Sequence, residues 1–401
     1  MKLCELRWQD PATQAFLGSP SLVRLPNGRL LATHDYFGPG CPRNHEDEEH
    51  LTSVYRSENN GCTWCNITHI ANAYWSTLFL HGGSVYLLGC SQQYGSIVIR
   101  RSEDGGNTWS HPKDDRTGLL FRGGKYHDSP NYLSAPMPIL ISGGRLYRTF
   151  DHCDPCVWPT GSRAGVISCP EDADLLVAEN WSMSHTLTFD PAWIPAAWGR
   201  VENPGWLEGN ILQAPDGRIV NLLRINSEPL ADKAAIVTVL DEGRRLNFDA
   251  AAGFIDFPGG MTKFTIRRDA GSGLYLTLSN PAASSTASRA REHLDLPADL
   301  SVSQGRFFEP VHDSAIQRNI LALCVSSDLR EWRINRILLW DDSGLDHESS
   351  RQLTGFQYVD WQFDGNDIIY LVRTAYKGAH SYHDSNRITF HRLERYRDHI
   401  A

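Results

Sequence analysis

The stretch Ser102-Glu103-Asp104-Gly105-Gly106-Asn107-Thr108-Trp109 decides how the chain is read. A hydroxyl and a carboxylate stand two residues apart, two glycines follow, and a tryptophan closes the segment. A short polar side chain at the head of such a segment hydrogen-bonds the backbone ahead of it, glycine takes the strained position, and the indole packs back beneath the turn. The pattern recurs. Ser57-Glu58-Asn59-Asn60-Gly61-Cys62-Thr63-Trp64 repeats it with Asn59 for the aspartate, and Ser326-Ser327-Asp328-Leu329-Arg330-Glu331-Trp332 keeps the serine, aspartate and tryptophan without the glycine.

Between and around these turns the chain repeats a second unit, an apolar strand, a glycine-containing turn and another apolar strand. The six copies are 21–32 around Asn27-Gly28, 78–89 around Gly82-Gly83, 138–150 around Gly143-Gly144, 210–225 around Asp216-Gly217, 263–279 around Gly271-Ser272-Gly273, and 358–374 around Asp364-Gly365. Asn-Gly and Asp-Gly between alternating apolar runs are strong hairpin signals, because a tight primed turn needs positive φ at its central residues. Repeats of about four strands every ~50 to 65 residues predict a β-propeller, in which each blade buries its faces against its neighbours. Six hairpins predict six blades, closed by pairing the N-terminal strand with the last. Seven blades is the alternative, with the extra one inside 171–208 or 280–318. The chain is expected to be a single domain over 1–401, with a loop insertion near 282–316.

Composition narrows the partners. The chain has 401 residues, 41% hydrophobic and 21% charged, which is ordinary for a soluble globular protein able to bury a large core. Its 38 basic against 47 acidic residues give a net charge of -9, so there is no electrostatic footprint for nucleic acid or an anionic membrane. No segment approaches the ~20 apolar residues of a membrane span, and the first residues lack a signal-peptide apolar region. The expectation is a cytoplasmic protein. Nine cysteines read as reduced thiols rather than a disulfide framework. Two CxxC pairs, Cys62/Cys65 and Cys153/Cys156, have the composition of a tetrahedral zinc site but are far apart in the chain. No metal and no cofactor enters the reading.

The recurring turn matches the Asp box, S-x-D-x-G-x-T-W, and with the six hairpins the chain resembles the sialidase (neuraminidase) superfamily over essentially its whole length. The resemblance implies an all-β, six-bladed propeller of sialidase type and a set of site residues. Sialidases carry a glutamate at the start of the blade-four hairpin and an arginine at its end, which match Glu208 and Arg224. A further family arginine, just before the strand leading to a late Asp box, matches Arg318. The family nucleophile, a tyrosine opening the last blade, matches Tyr358. The first arginine of the family's carboxylate-binding triad is missing, since Gly18 stands in its place in Leu17-Gly18-Ser19-Pro20. The acid/base aspartate of the family lies in the loop before the first Asp box, where Asp47 is nearest, among Glu46, Glu48 and Glu49.

By this resemblance the chain is a sialidase-like exo-glycosidase acting on an acidic oligosaccharide or polysaccharide. Tyr358 attacks the anomeric carbon, Glu208 takes its proton, Asp47 or His34 protonates the leaving group, and Arg224 with Arg318 holds an acidic substituent. Asp35, Trp206 and Arg373 are further candidate substrate contacts. Two local motifs fit a second reading, Thr33-His34-Asp35-Tyr36 and Lys125-Tyr126-His127-Asp128, because histidine serves as acid or base near neutral pH. In that reading the chain is a metal-independent lyase or rhamnosidase acting at uronate-containing glycans, led by His127, Tyr358 and Arg224. A third reading is a glycan-binding propeller without catalysis.

Overall fold

In the computed structural model residues 4–282 and 316–400 are described. They form six antiparallel sheets arranged as a propeller. Blade one is built from Ser21–Arg24, Leu30–Phe37, Leu51–Ser57 and Cys65–Ala71, and blade two from Tyr74–His81, Ser84–Cys90, Ile97–Ser102 and Leu119–Phe121. Blade three has Asn131–Leu133 and Leu140–Ser142 together as its inner edge, then Arg145–Cys153, Ser162–Pro170 and Ser182–Met183. Blade four runs through Gly205–Gln213, Ile219–Asn226, Lys233–Leu240 and Arg245–Phe248. Blade five comprises Thr265–Arg268, Tyr275–Ser279, Ile320–Ser326 and Arg333–Trp340, and blade six Gly355–Asp364, Asp367–Ala375 and Arg387–Leu393.

All six predicted hairpins are the first two strands of the six blades. Their turns use the expected chemistry. Gly28 and Gly217 sit at φ +85°, behind Asn27 and Asp216, in a conformation that an L side chain resists. The ring is closed as predicted. Cys4–Trp8 pairs antiparallel with Arg387–Leu393 and becomes the outermost strand of blade six. Across the same seam Asp360 Oδ2 accepts hydrogen bonds from the Ser21 hydroxyl at 3.0 Å and the Leu22 N–H at 2.8 Å.

Strands of this fold read as continuous apolar runs because both of their faces are covered. Ile320–Ser326 is buried at every position. Its leucines pack with Leu276, Phe356 and Trp361 between blades five and six, and Leu6, Leu22, Leu371 and Phe390 fill the seam between blades six and one. The seven-blade alternative fails at 171–208. Before blade four begins at Gly205, that stretch supplies the edge strand Ser182–Met183 and short 3-10 turns at Ala178–Asn180, Pro191–Trp193 and Ala196–Trp198, and the tryptophans of the last two turns pack against the aromatic core of blade four. The insertion expected near 282–316 lies almost wholly outside the described residues.

The three recurring turns share one geometry. Asp104 accepts hydrogen bonds from the N–H groups of Asn107 and Thr108 at 3.0 and 2.9 Å, and the Trp109 indole N–H returns to the Gly106 carbonyl at 2.9 Å. Trp64 and Trp332 do the same to Gly61 and Leu329, each at 3.1 Å. The third copy therefore keeps the turn after losing its glycine. Leu329 takes φ +68°, a strained value for a side chain of that size.

Candidate active site

Two inner strands carry the same irregularity near their start. In blade four the register of Gly205–Gln213 slips between Leu207 and Gly209, and in blade six that of Gly355–Asp364 slips between Gln357 and Asp360. A bulge inserts an extra residue and turns its side chain away from the regular alternation. The residues at the slips are Glu208, at φ +42°, and Tyr358, at φ +51°. Left-handed φ at a non-glycine residue is held only where surrounding structure enforces it, and such residues gather at functional sites.

Although they lie two blades apart, the two side chains meet. Tyr358 Oη donates a hydrogen bond to Glu208 Oε1 at 2.9 Å. The other carboxylate oxygen, Glu208 Oε2, accepts from Arg224 Nη1 at 2.7 Å, and the same guanidinium lies 3.5 Å from the tyrosine oxygen. Arg318 and Arg373 flank the phenol ring, their guanidinium carbons 5.8 and 4.9 Å from its centroid. Arg318 is held by Gln357 and Arg373 by the Ser385 hydroxyl at 3.2 Å and the His383 carbonyl at 2.7 Å. Arg373 is also stacked on Phe37, 4.2 Å from its centroid. Blades four, five and six thus deliver three arginines to one tyrosine.

The charge in this cluster is unbalanced. Three buried guanidiniums face one carboxylate, and among the described residues only Arg224 is ion-paired. Burial disfavours the charge of Arg224, but Glu208 and Tyr358 outweigh it and hold the group protonated. Arg318 has no such partner among the described residues, and burial brings it down to about 10; burial lowers Arg373 as well. Asp384 acts on Arg373 from a distance; its nearest partner, the His383 imidazole at 3.3 Å, is brought down to about 4 by burial and is neutral. Burial, and then the Glu208 carboxylate, raises the Tyr358 phenol above its ordinary range, against the opposing pull of the three arginines. The resting tyrosine is therefore neutral and hydrogen-bonded to a base. An anionic ligand entering here meets two cations that no carboxylate of the described residues contacts directly.

Several candidates from the sequence lie elsewhere. His34 is fully buried between Tyr36 and Tyr55, with its ring nitrogens on the Asp35 carbonyl at 2.9 Å and the Tyr55 hydroxyl at 3.2 Å. Burial lowers it to about 4, so it is a neutral structural histidine and not an acid catalyst. Trp206 is also fully buried, in an aromatic core with Phe189, Trp193 and Phe248, and is not available to substrate. Asp35 is a buried scaffold acid that takes the Thr52 hydroxyl at 2.6 Å and the Trp75 N–H at 2.9 Å. Strand alternation predicts two faces but not that both are sealed by neighbouring blades, which is why these three polar or large residues look like site residues in the sequence.

Asp47 projects from its loop with a side chain 88% exposed and a loose ion pair to Arg43 at 3.8 Å. Its neighbours are the anchored acids: Glu49 takes hydrogen bonds from the Gly38 N–H at 2.8 Å and the Tyr74 hydroxyl at 2.5 Å, and Glu48 pairs with His127. The imidazole of His127 makes no contact with Tyr358 or Arg224 and stacks edge-on to Tyr94, so the trio of the lyase reading is not assembled. Asp151 is a neighbour of this cluster that the sequence left unmarked, and its carboxyl group receives the Glu208 N–H at 3.1 Å. Only the slipped register reveals that this N–H is free to be captured.

No protein-family model matches the chain, and no curated protein matches it. Solved structures do. The chain is similar to an α-L-arabinanase of Penicillium chrysogenum complexed with arabinobiose, at 14% identity and TM-score 0.56 over 98% of both chains. It is similar to a mutant α-L-arabinofuranosidase from Fusarium graminearum in complex with an iminosugar inhibitor, at 12% identity and TM-score 0.58 over 98% of both. A leech intramolecular trans-sialidase complexed with 2,7-anhydro-Neu5Ac matches at 10% identity and TM-score 0.56, over 98% of this chain and 70% of that one. At these identities the likeness is one of fold, a six-bladed β-propeller of the sialidase type.

Proposed function

We propose that the chain is an exo-acting glycoside hydrolase that releases a terminal acidic sugar from a glycan. The observation that carries this reading is the 2.9 Å hydrogen bond from Tyr358 Oη to Glu208, set among Arg224, Arg318 and Arg373. Glu208 takes the phenolic proton as Tyr358 Oη bonds to the anomeric carbon and the glycosidic bond breaks. The leaving oxygen takes a proton, and water then opens the glycosyl-tyrosine with Tyr358 as leaving group. A neutral phenol suits a substrate whose own carboxylate would repel an anionic nucleophile.

The leaving-group proton comes from the loop 38–50. That loop leaves the end of the second strand of blade one, the same strand end at which Arg224 and Arg373 stand in blades four and six. Its solvent-facing carboxyl is Asp47. The acidic character of the substrate follows from charge: Arg318 and Arg373 have no carboxylate of the described residues on them, and a sugar carboxylate would supply charge-assisted hydrogen bonds to both. The sugar ligands of the similar propellers, arabinobiose and 2,7-anhydro-Neu5Ac, support a glycan in this funnel.

The test is incubation with acidic oligosaccharides, including sialosides and rhamnose–glucuronate fragments, followed by mass and ultraviolet absorbance. Products that together gain one water, without absorbance, are expected, and Tyr358→Phe should abolish them. A product with a new C4–C5 double bond would replace hydrolysis by elimination.

A further inference from the structure

The register slip that carries Glu208 and Tyr358 occurs a third time. In blade two the pairing of Tyr74–His81 slips between Tyr74 and Thr77, and Trp75 stands there at φ +47°. Blades two, four and six alternate around the ring, so Trp75, Glu208 and Tyr358 are related by successive rotations of a third of a turn about the propeller axis. The side chains of Glu208 and Tyr358 leave their bulges and touch across that axis. Trp75 leaves an equivalent bulge with an equivalent φ on the third of these blades.

The way Trp75 is held repeats as well. Its N–H donates to Asp35 Oδ2 at 2.9 Å, just as the Glu208 N–H donates to Asp151 Oδ2 at 3.1 Å, and both acids sit on the second strand of the preceding blade. The indole packs beside Tyr74, ring centroids 4.9 Å apart, and Tyr74 is tied to Glu49. Yet Trp75 is partly exposed, whereas Trp206 and Trp361 on other inner strands are fully buried. A large ring, fixed through its backbone at a bulge and left partly exposed, is suited to meet a ligand.

We propose that Trp75 is a specificity-determining sugar platform of this site. Blade two lies opposite blade five, so the indole faces Arg318 across the axis. With the sugar carboxylate on the arginines, the C–H surface on the far side of the ring packs against Trp75. The identity of the ligand as an acidic sugar rests on the proposed function, while the placement of Trp75 rests on the three bulges alone.

Calorimetric titration of the full chain with D-glucuronic acid, D-galacturonic acid and N-acetylneuraminic acid tests the assignment, with melting temperatures recorded for each variant. The wild type should bind at least one of these probes. Trp75→Ala should weaken that probe about tenfold, Trp75→Phe should stay within about threefold, and Trp75→Leu serves if the alanine variant does not fold. Unchanged affinity in folded Trp75→Ala, alongside weakened binding in Arg318→Met, overturns the platform and leaves the proposed function standing. Failure of the wild type to bind any of the three overturns the acidic-sugar reading and the platform with it.

Discussion

The Asp151 carboxyl group receives the main-chain N–H of Glu208 at 3.1 Å, so the carboxylate that faces Tyr358 is itself fixed by a buried acid from the neighbouring blade. Bulged residues leave ladder hydrogen bonds unmade, and here the acid takes the place of the missing strand partner. The strained φ of Glu208 persists because Asp151 on one side and Arg224 on the other constrain it.

Removing that anchor should damage turnover without emptying the site. Asp151→Ala is expected to lower kcat at least tenfold, on the order of one lost hydrogen bond plus relaxation of the bulge, with a smaller change in KM. Asp151→Asn, which keeps an acceptor oxygen, should retain most activity. Steady-state kinetics on an acidic oligosaccharide that the wild type turns over decides it, and equal losses in the two variants would contradict a positioning role.

Asp151 also sets a pH dependence of stability. Burial, with a further push from Glu208, raises its carboxyl to about 8 from 3.8, against the pull of the Glu208 N–H and of Arg148 and Arg224. The folded chain thus binds this proton more tightly than the unfolded one. The contribution is complete at pH below 3.8 and is lost as pH rises through about 8. Asp151→Asn abolishes it, so the melting temperature of the variant relative to wild type should climb from acidic pH to about 8 and then level. A difference that stays level between pH 3.8 and about 8 would place Asp151 in its ionised form.

Tyr358→Phe and Glu208→Gln should each reduce turnover by about a thousandfold or more while leaving a folded protein. Tyr358→Phe should still bind an acidic sugar, because the three guanidiniums remain. Thermal melts establish folding and calorimetry establishes binding; a Tyr358→Phe enzyme with wild-type kcat would exclude the nucleophile.

Arg373→Met and Arg318→Met separate charge from shape. Each removes hydrogen bonds to a charged group, which are typically ~1.5–3 kcal/mol, so affinity for an acidic sugar should fall by about 10- to 150-fold. Binding of L-arabinose, which has no carboxylate, should be unaffected or improved. Equal losses for both sugars would show that the arginines shape the funnel rather than neutralise a substrate.

A fifth expectation concerns the ring closure. Gly61 has φ +87°, and a Cβ added there would run into the Phe390 ring at the seam of blades six and one. Gly61→Ala should lose ~2–4 kcal/mol, the sum of backbone strain and overpacking. Gly217→Ala, with φ +85° but open space around its Cβ position, should lose only ~1–2 kcal/mol. Urea unfolding compares the two, and equal losses would remove Phe390 from the account.

The hairpins and the polar turns were legible because their signals are local: an Asn-Gly pair or a Ser-x-Asp-x-Gly segment chooses its conformation with nearby atoms, and the chain repeats them. Glu208, Arg224, Arg318 and Tyr358 were placed by the resemblance to sialidases, whose site residues stand at matching points along such hairpins, and the fold brings all four together with Arg373. His34, Asp35 and Trp206 misled because a propeller strand is covered on both faces, so a polar or aromatic residue within it reveals neither which neighbour it meets nor whether it opens to solvent. Trp75 and Asp151 were invisible for a related reason. A one-residue slip reverses the side of a strand on which a side chain lies, and the slips at Trp75, Glu208 and Tyr358 are properties of pairing with a neighbouring strand. Local sequence determined the strands, the turns and their number; the tertiary structure decided which side chains reach the axis, because only the closed ring of blades fixes the register and direction of each inner strand.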